Sequence, residues 1–164
     1  MPSRSDVVSG AVALRRALAA IPDPEIPVLT IEDLGILRDV RAVGQRVEVG
    51  VTPTYSGCPA LDVIRGDIER CIRDHGFDPD VRTVLSPPWT TDWLSVDARR
   101  RLQEHGVAPP RRRDATGGLL ELPVACPVCG DQHTTEVAHF ASTPCQALRR
   151  CDACSEPFQH LKEH

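Results

Sequence analysis

Residues 46–74 read RVEVGVTPTYSGCPALDVIRGDIERCIRD, and the way this stretch divides decides the fold. At its start Val47, Val49 and Val51 alternate with Arg46, Glu48 and Gly50. That period of two marks a strand with one buried face. Thr52–Cys58 is rich in turn formers. From Pro59 the period lengthens, and Leu61, Ile64, Ile68 and Ile72 fall on one side of a helix ending near Asp74, with Gly76 as its stop. Upstream, Gly44–Gln45 makes a two-residue turn from an earlier strand over Leu37–Val43, a hairpin. Downstream, Val81–Leu85 supplies a third strand. Strand, helix and strand in this order form a crossover unit, so the second and third strands run parallel.

Farther out, Ser9 can cap a helix whose apolar side is Leu14, Ala17, Leu18 and Ile21, ended by Pro22 and Pro24. Asp23–Pro27 is a rigid acidic loop. A last helix runs over about Leu94–Glu104 and closes at His105–Gly106, with Thr91 or Asp92 as candidate caps. The fold class is α+β, a small mixed sheet packed with helices over residues 1–108. A linker over 109–122 carries the Arg111–Arg113 run, and a four-cysteine ribbon occupies 123–164. There is no internal repeat.

Composition narrows the function. The net charge is −4 over 164 residues, which argues against a general nucleic-acid binder. No apolar run is long enough to span a membrane. Ala11–Ala20 is broken by Arg15 and Arg16, so it is no signal-peptide core. Seven cysteines without an export signal point to metal and thiol chemistry in the cytoplasm rather than to disulfides.

Four of those cysteines form two close pairs, C-P-V-C-G at 126–130 and C-D-A-C at 151–154. Cys126, Cys129, Cys151 and Cys154 are the ligand set that tetrahedral zinc takes, one ion per chain, and the segment between the pairs has room for a strand out and a strand back. Spacing alone leaves iron open in the same four sulfurs. A domain of about forty residues has too small a core to stand unaided, so the metal should stabilise it. Cys145 is an extra thiol, expected to pack. A zinc-ribbon nucleic-acid binder is disfavoured, because Arg149, Arg150 and Lys162 face five carboxylates across 124–164.

Cys58 stands alone. It precedes Pro59, a favoured first helical residue, so its sulfur lies at a helix N-terminus, where a thiolate is expected to be stabilised. The loop of a tyrosine phosphatase needs five residues between Cys and Arg; six separate Cys58 from Arg65. A Cys–His hydrolase lacks its base, since His75 sits at the far end of the same helix. A soft ligand or acceptor thiol remains, beside the plain alternative of a half-buried capping residue. Cys71 shares the face of Ile64, Ile68 and Ile72 and is expected in the core. Topology brings three segments to the C-terminal edge of the parallel strands: Asp33–Gly35, Thr54–Cys58 and Trp89–Trp93. Asp33, Thr54, Cys58, Trp89, Thr90, Thr91 and Asp92 are therefore the candidate site, with caps and packed tryptophans as the alternative.

D-P-E-I-P at 23–27, D-L-G-I-L at 33–37, T-P-T-Y-S-G-C-P at 52–59 and P-P-W-T-T-D-W at 87–93 resemble the MIP18 group, or domain of unknown function 59. These are small α/β proteins associated with iron–sulfur cluster assembly. The ribbon, with S-T-P-C-Q-A-L at 142–148 and C-D-A-C-S-E-P-F at 151–158, is similar to that of D subunits of bacterial phenylacetyl-CoA epoxidases. The resemblance departs at Ala141, Gln146 and Arg149. It implies a maturation role in aerobic phenylacetate breakdown rather than catalysis, with the group's reactive cysteine at Cys58 and a transient iron–sulfur cluster or iron as cargo. The implied partners are the epoxidase reductase with its [2Fe–2S] cluster or the di-iron oxygenase subunit, and a homodimer is compatible. A non-catalytic docking subunit is the alternative; it would tolerate Cys58→Ser, whereas an assembly factor would not.

Overall fold

The computed structural model describes residues 4–55, 57–111 and 123–164, and for 4–9 the backbone alone. The chain divides into two compact units, Met1–Trp89 and Thr90–His164. The first unit opens with helix α1, Arg4–Ala19, which buries Leu14 and Leu18. Ser9 lies inside α1 instead of capping it; a serine at a cap is only a preference, and Ser is tolerated within a helix at modest cost. Strands β1, Leu37–Val43, and β2, Arg46–Val51, pair antiparallel through the Gly44–Gln45 turn, where Gly44 holds a φ of 62°. Helix α2, Ala60–Asp74, then crosses to β3, Asp78–Thr83, which runs parallel to β2 in a sheet of order β1-β2-β3.

The alternation in β2 holds, since Val47, Val49 and Val51 are all fully buried. Ile64, Ile68 and Ile72 bury the inner side of α2. Cys71 does not join them. It is only half-buried, because the neighbouring Ile72 occupies the inward position and the sulfur faces His75 Nδ1 at 4.0 Å. Strand β3 begins three residues before the sequence pattern suggests, with Arg46 opposite Asp78 and Val51 opposite Thr83. Pairing with β2 sets its length, and Pro79 is tolerated because β3 is an edge strand. Leu85, read as strand, is left largely exposed.

The second unit starts with a single 3₁₀ turn, Thr91–Trp93, and helix α3, Val96–Glu104. Ser95 caps α3, its hydroxyl accepting the Ala98 N–H at 3.0 Å, so neither Thr91 nor Asp92 does so. Short strand β4, Val107–Ala108, follows, and then β5, Thr134–Ala138, β6, Gln146–Cys151, and β7, Pro157–Leu161. They form a sheet of order β4-β7-β6-β5. Strands β5 and β6 are the expected strands out and back; β4 and β7 carry no period long enough to read. Both α3 and β4 thus group with the ribbon. Most of the linker read over 109–122 lies outside the described residues. Among those described, no helix is long and apolar enough to cross a membrane.

Candidate functional site

Two tight turns build the centre of the second unit, and their hydrogen bonds match. Cys126 N–H donates to Asp131 O at 2.8 Å, and Gly130 N–H to Cys126 O at 2.9 Å. In the later turn Cys151 N–H donates to Glu156 O at 3.0 Å, and Ser155 N–H to Cys151 O at 3.0 Å. Each turn reverses on the residue after its second cysteine, Gly130 at φ 76° and Ser155 at φ 65°. Glycine adopts that region freely, whereas a serine there is strained. The sequence pattern marks Gly130 for this role but gives no signal for Ser155, whose residue type rarely takes it.

The curls aim four sulfurs at one point. Cys126 Sγ lies 3.8 Å from Cys154 Sγ, Cys129 Sγ lies 3.5 Å from Cys151 Sγ, and all four fall within 4.8 Å of one another. A tetrahedral ion with Zn–S bonds of about 2.3 Å sets its sulfurs roughly 3.8 Å apart, so the set fits zinc. Cys126 and Cys151 are buried with Val124 and Phe158, while Cys129 and Cys154 are exposed. The Cys154 N–H draws the Cys151 thiol down to about 7. Cys129 is favoured as thiolate by the Asp131 N–H, but the neighbouring sulfurs outweigh this and push it up to about 12. Cys145 lies outside the cluster, buried 3.1 Å from Thr143 Oγ1, and packs as expected.

In the first unit Cys58 sits just ahead of α2, its N–H donating to Tyr55 O at 3.3 Å and its carbonyl accepting the Leu61 N–H at 3.2 Å. The half-buried sulfur receives the Thr54 hydroxyl at 3.9 Å. It lines a shallow cleft of ≈ 430 Å³ with Pro53, Pro59, Leu61, Asp62 and Leu85. The expected stabilised thiolate is not found. Burial pushes the thiol up from its ordinary 9.0; the Ala60 N–H and Thr54 hydroxyl only partly offset this, and the negative charge of Glu25 adds to it. Glu25 is held by Asp23, whose buried Oδ1 accepts the Glu25 and Ile26 N–H groups at 2.9 and 2.7 Å. The sequence marks this loop as rigid and acidic, but only the fold brings it near Cys58.

The other candidates have local partners. Asp33 Oδ2 accepts the Thr30 N–H at 2.8 Å while Thr30 Oγ1 accepts the Asp33 N–H at 3.1 Å, a reciprocal closure of the turn. Trp89 is buried and its Nε1–H donates to Leu34 O at 2.6 Å. Topology therefore does join the Asp33 turn to Trp89, though neither lines the Cys58 cleft. Thr90, Thr91 and Asp92 belong to the second unit. Thr90 Oγ1 donates to the His164 carbonyl at 2.8 Å and accepts the Asp92 N–H at 3.3 Å; Thr91 is buried.

Comparison with known proteins agrees with this division. The family model described as PaaD zinc beta ribbon domain matches residues 111–162, and that described as iron–sulfur cluster assembly protein matches residues 12–85. The D subunit of the 1,2-phenylacetyl-CoA epoxidase of Escherichia coli is 49% identical over 146 residues, 88% of either chain. The chain belongs to the family of phenylacetyl-CoA epoxidase D subunits. About half of the chain is also similar to iron–sulfur maturation factors. The Fe-S protein maturation auxiliary factor YitW of Bacillus subtilis is 33% identical, covering 51% of this chain and 83% of its own. A Fe-S protein maturation auxiliary factor of Porphyromonas gingivalis is 36% identical over 53% of this chain and 85% of its own. The crystal structure of a DUF59 domain from Bacillus anthracis aligns with a TM-score of 0.52 at 27% identity, covering 58% of this chain and 92% of that one. In this member of the family, a zinc ribbon with four clustered cysteines thus follows an assembly-type α+β domain.

Proposed function

We propose that the chain is a non-catalytic maturation subunit of a phenylacetyl-CoA epoxidase system, handling iron or an iron–sulfur cluster through Cys58. One observation carries the reading: Cys58 opens onto a cleft, with Thr54 at its sulfur, in the domain matched by the cluster-assembly model. Thiolates are the natural ligands of such cargo. One thiol fills one position of a cluster, so a client or a second copy supplies the rest. The clients are the reductase with its [2Fe–2S] cluster or the di-iron oxygenase subunit, met in the cytoplasm. Asp33 and Trp89 brace other loops of the same unit. Cys126, Cys129, Cys151 and Cys154 hold one structural zinc, which supplies stability to the ribbon and takes no part in transfer.

The raised pKa of Cys58 favours a second reading, in which the thiol stays neutral and both units only dock partner proteins. Anaerobic reconstitution with iron and sulfide separates the two. The maturation reading expects the visible absorption of a cluster in the wild type and its loss in Cys58→Ser, with zinc content unchanged. Equal iron and sulfide in both proteins would leave the docking role.

A further inference from the structure

The second unit contains a cavity of ≈ 390 Å³ that nothing in the proposed function uses. Its floor follows from strand register. Glu136 of β5 lies opposite Arg149 of β6, and His160 of β7 lies opposite Ala147, so Glu136, Arg149, His160 and, two residues on, Lys162 all line one side. His160 is 3% exposed and its Nε2 makes no hydrogen bond. Glu163 Oε1 stands 3.6 Å from it, beyond hydrogen-bond reach. That carboxylate is already engaged, since Oε1 accepts Arg111 N–H and Nε–H, both at 2.8 Å. The His160–Glu163 contact is an ion pair only when the imidazole is protonated, and a nitrogen this buried with no hydrogen bond is costly unless something arrives to supply one.

The other floor residues have donors to spare. Arg149 directs Nε and Nη2 to Thr134 and Nη1 toward Glu136 at 3.5 Å, which leaves two of a guanidinium's five N–H groups unspent. Lys162 Nζ gives one N–H to His139 O at 3.1 Å and lies 4.4 Å from the centre of the Phe140 ring, with two N–H groups not given to any oxygen. The charged side chains of arginine, lysine and glutamate lining the cavity are Arg111, Arg149 and Lys162 against Glu136 and Glu163, three cationic to two anionic. These two carboxylates are each held by an arginine, Glu136 by Arg149 at 3.5 Å and Glu163 by Arg111 at 2.8 Å.

We infer that this cavity is a binding site for a small organic oxyanion, with His160, Arg149 and Lys162 donating to its phosphoryl or carboxylate group. The volume falls within the range of small-molecule pockets, so it has room for the anion and for the body that carries it.

The zinc-loaded full chain, labelled with ¹⁵N and titrated at constant ionic strength with pyrophosphate and separately with succinate, tests this. Saturable shifts of the His160 imidazole and Arg149 Nε signals are expected. A response to pyrophosphate alone marks a phosphoryl ligand, and one to succinate alone a carboxylate. Lys162→Gln should weaken the response about tenfold, as loss of a charge-assisted hydrogen bond does. Arg149→Gln should weaken it further; should that variant fail to fold, Lys162→Gln decides alone. No saturation with either anion, an unchanged affinity in Lys162→Gln, or shifts confined to the cysteine turns would overturn the inference.

Discussion

In the first unit Val47, Val49 and Val51 of β2 and Ile64, Ile68 and Ile72 of α2 are six aliphatic side chains with at most 1% exposure. In the second unit the cluster around Val124 and Phe158 contains two thiols, Cys126 and Cys151, as fully buried as any valine. A hydrocarbon core is stabilised by leaving water and needs no ligand. Thiols drawn to within 4.8 Å of one another gain little until an ion replaces their protons. Cys58 belongs to neither arrangement. It lacks a sulfur partner and is not sealed in, and its surroundings favour the neutral thiol. The same side chain is thus part of a converging set where three others point at it and a half-buried neutral thiol where none does.

Breaking the metal centre should have the largest effect. Structural zinc contributes on the order of 10 kcal/mol to small ribbons, so Cys151→Ser or a strong chelator should unfold residues around β5–β7. Amide spectra should then lose the ribbon's dispersed signals and keep those of β1–β3; loss of both sets together would show that the units do not fold separately. The converse variant, Ile68→Ala, removes a fully buried side chain and should cost the first unit about 2–5 kcal/mol, seen in thermal or urea unfolding. Zinc content should be unchanged, and its loss would argue against two independent cores.

The matched turns allow a finer test. Ser155→Gly should stabilise the ribbon and Gly130→Ala should destabilise it, each by about 1 kcal/mol, because both positions hold positive φ. A competition assay for zinc would read both; a destabilising Ser155→Gly would mean that the serine side chain matters more than its backbone. The smallest effect concerns Cys58 itself. With its pKa above 9.0, alkylation at pH 7 should be slow and rise about tenfold per pH unit until the pH exceeds that value. A rate already flat at pH 8 would mean that the helix N-terminus prevails over burial after all.

The features legible in the sequence were those set by short-range pattern. The spacing of Cys126, Cys129, Cys151 and Cys154 specifies a tetrahedral site whatever surrounds it, because each pair is brought together by a single turn. The alternation of Val47, Val49 and Val51 and the 3.6-residue spacing of Ile64, Ile68 and Ile72 likewise placed β2 and α2, and the turn residues placed the hairpin. The start of β3 depended on pairing with β2, a non-local bond pattern that no residue of Asp78–Thr83 announces. Strand β7 is set by its antiparallel ladder to β6, and β4 exists because it pairs with β7, Val107 beside Gln159, across half a hundred residues. For Asp33 and Trp89 the topology predicted neighbours, but only packing decided that the indole N–H would bind Leu34 O and that neither residue would line the thiol cleft. The state of Cys58 was undecidable from its place before a helix, because desolvation depends on every atom around the sulfur and here outweighs the N–H groups at the helix end.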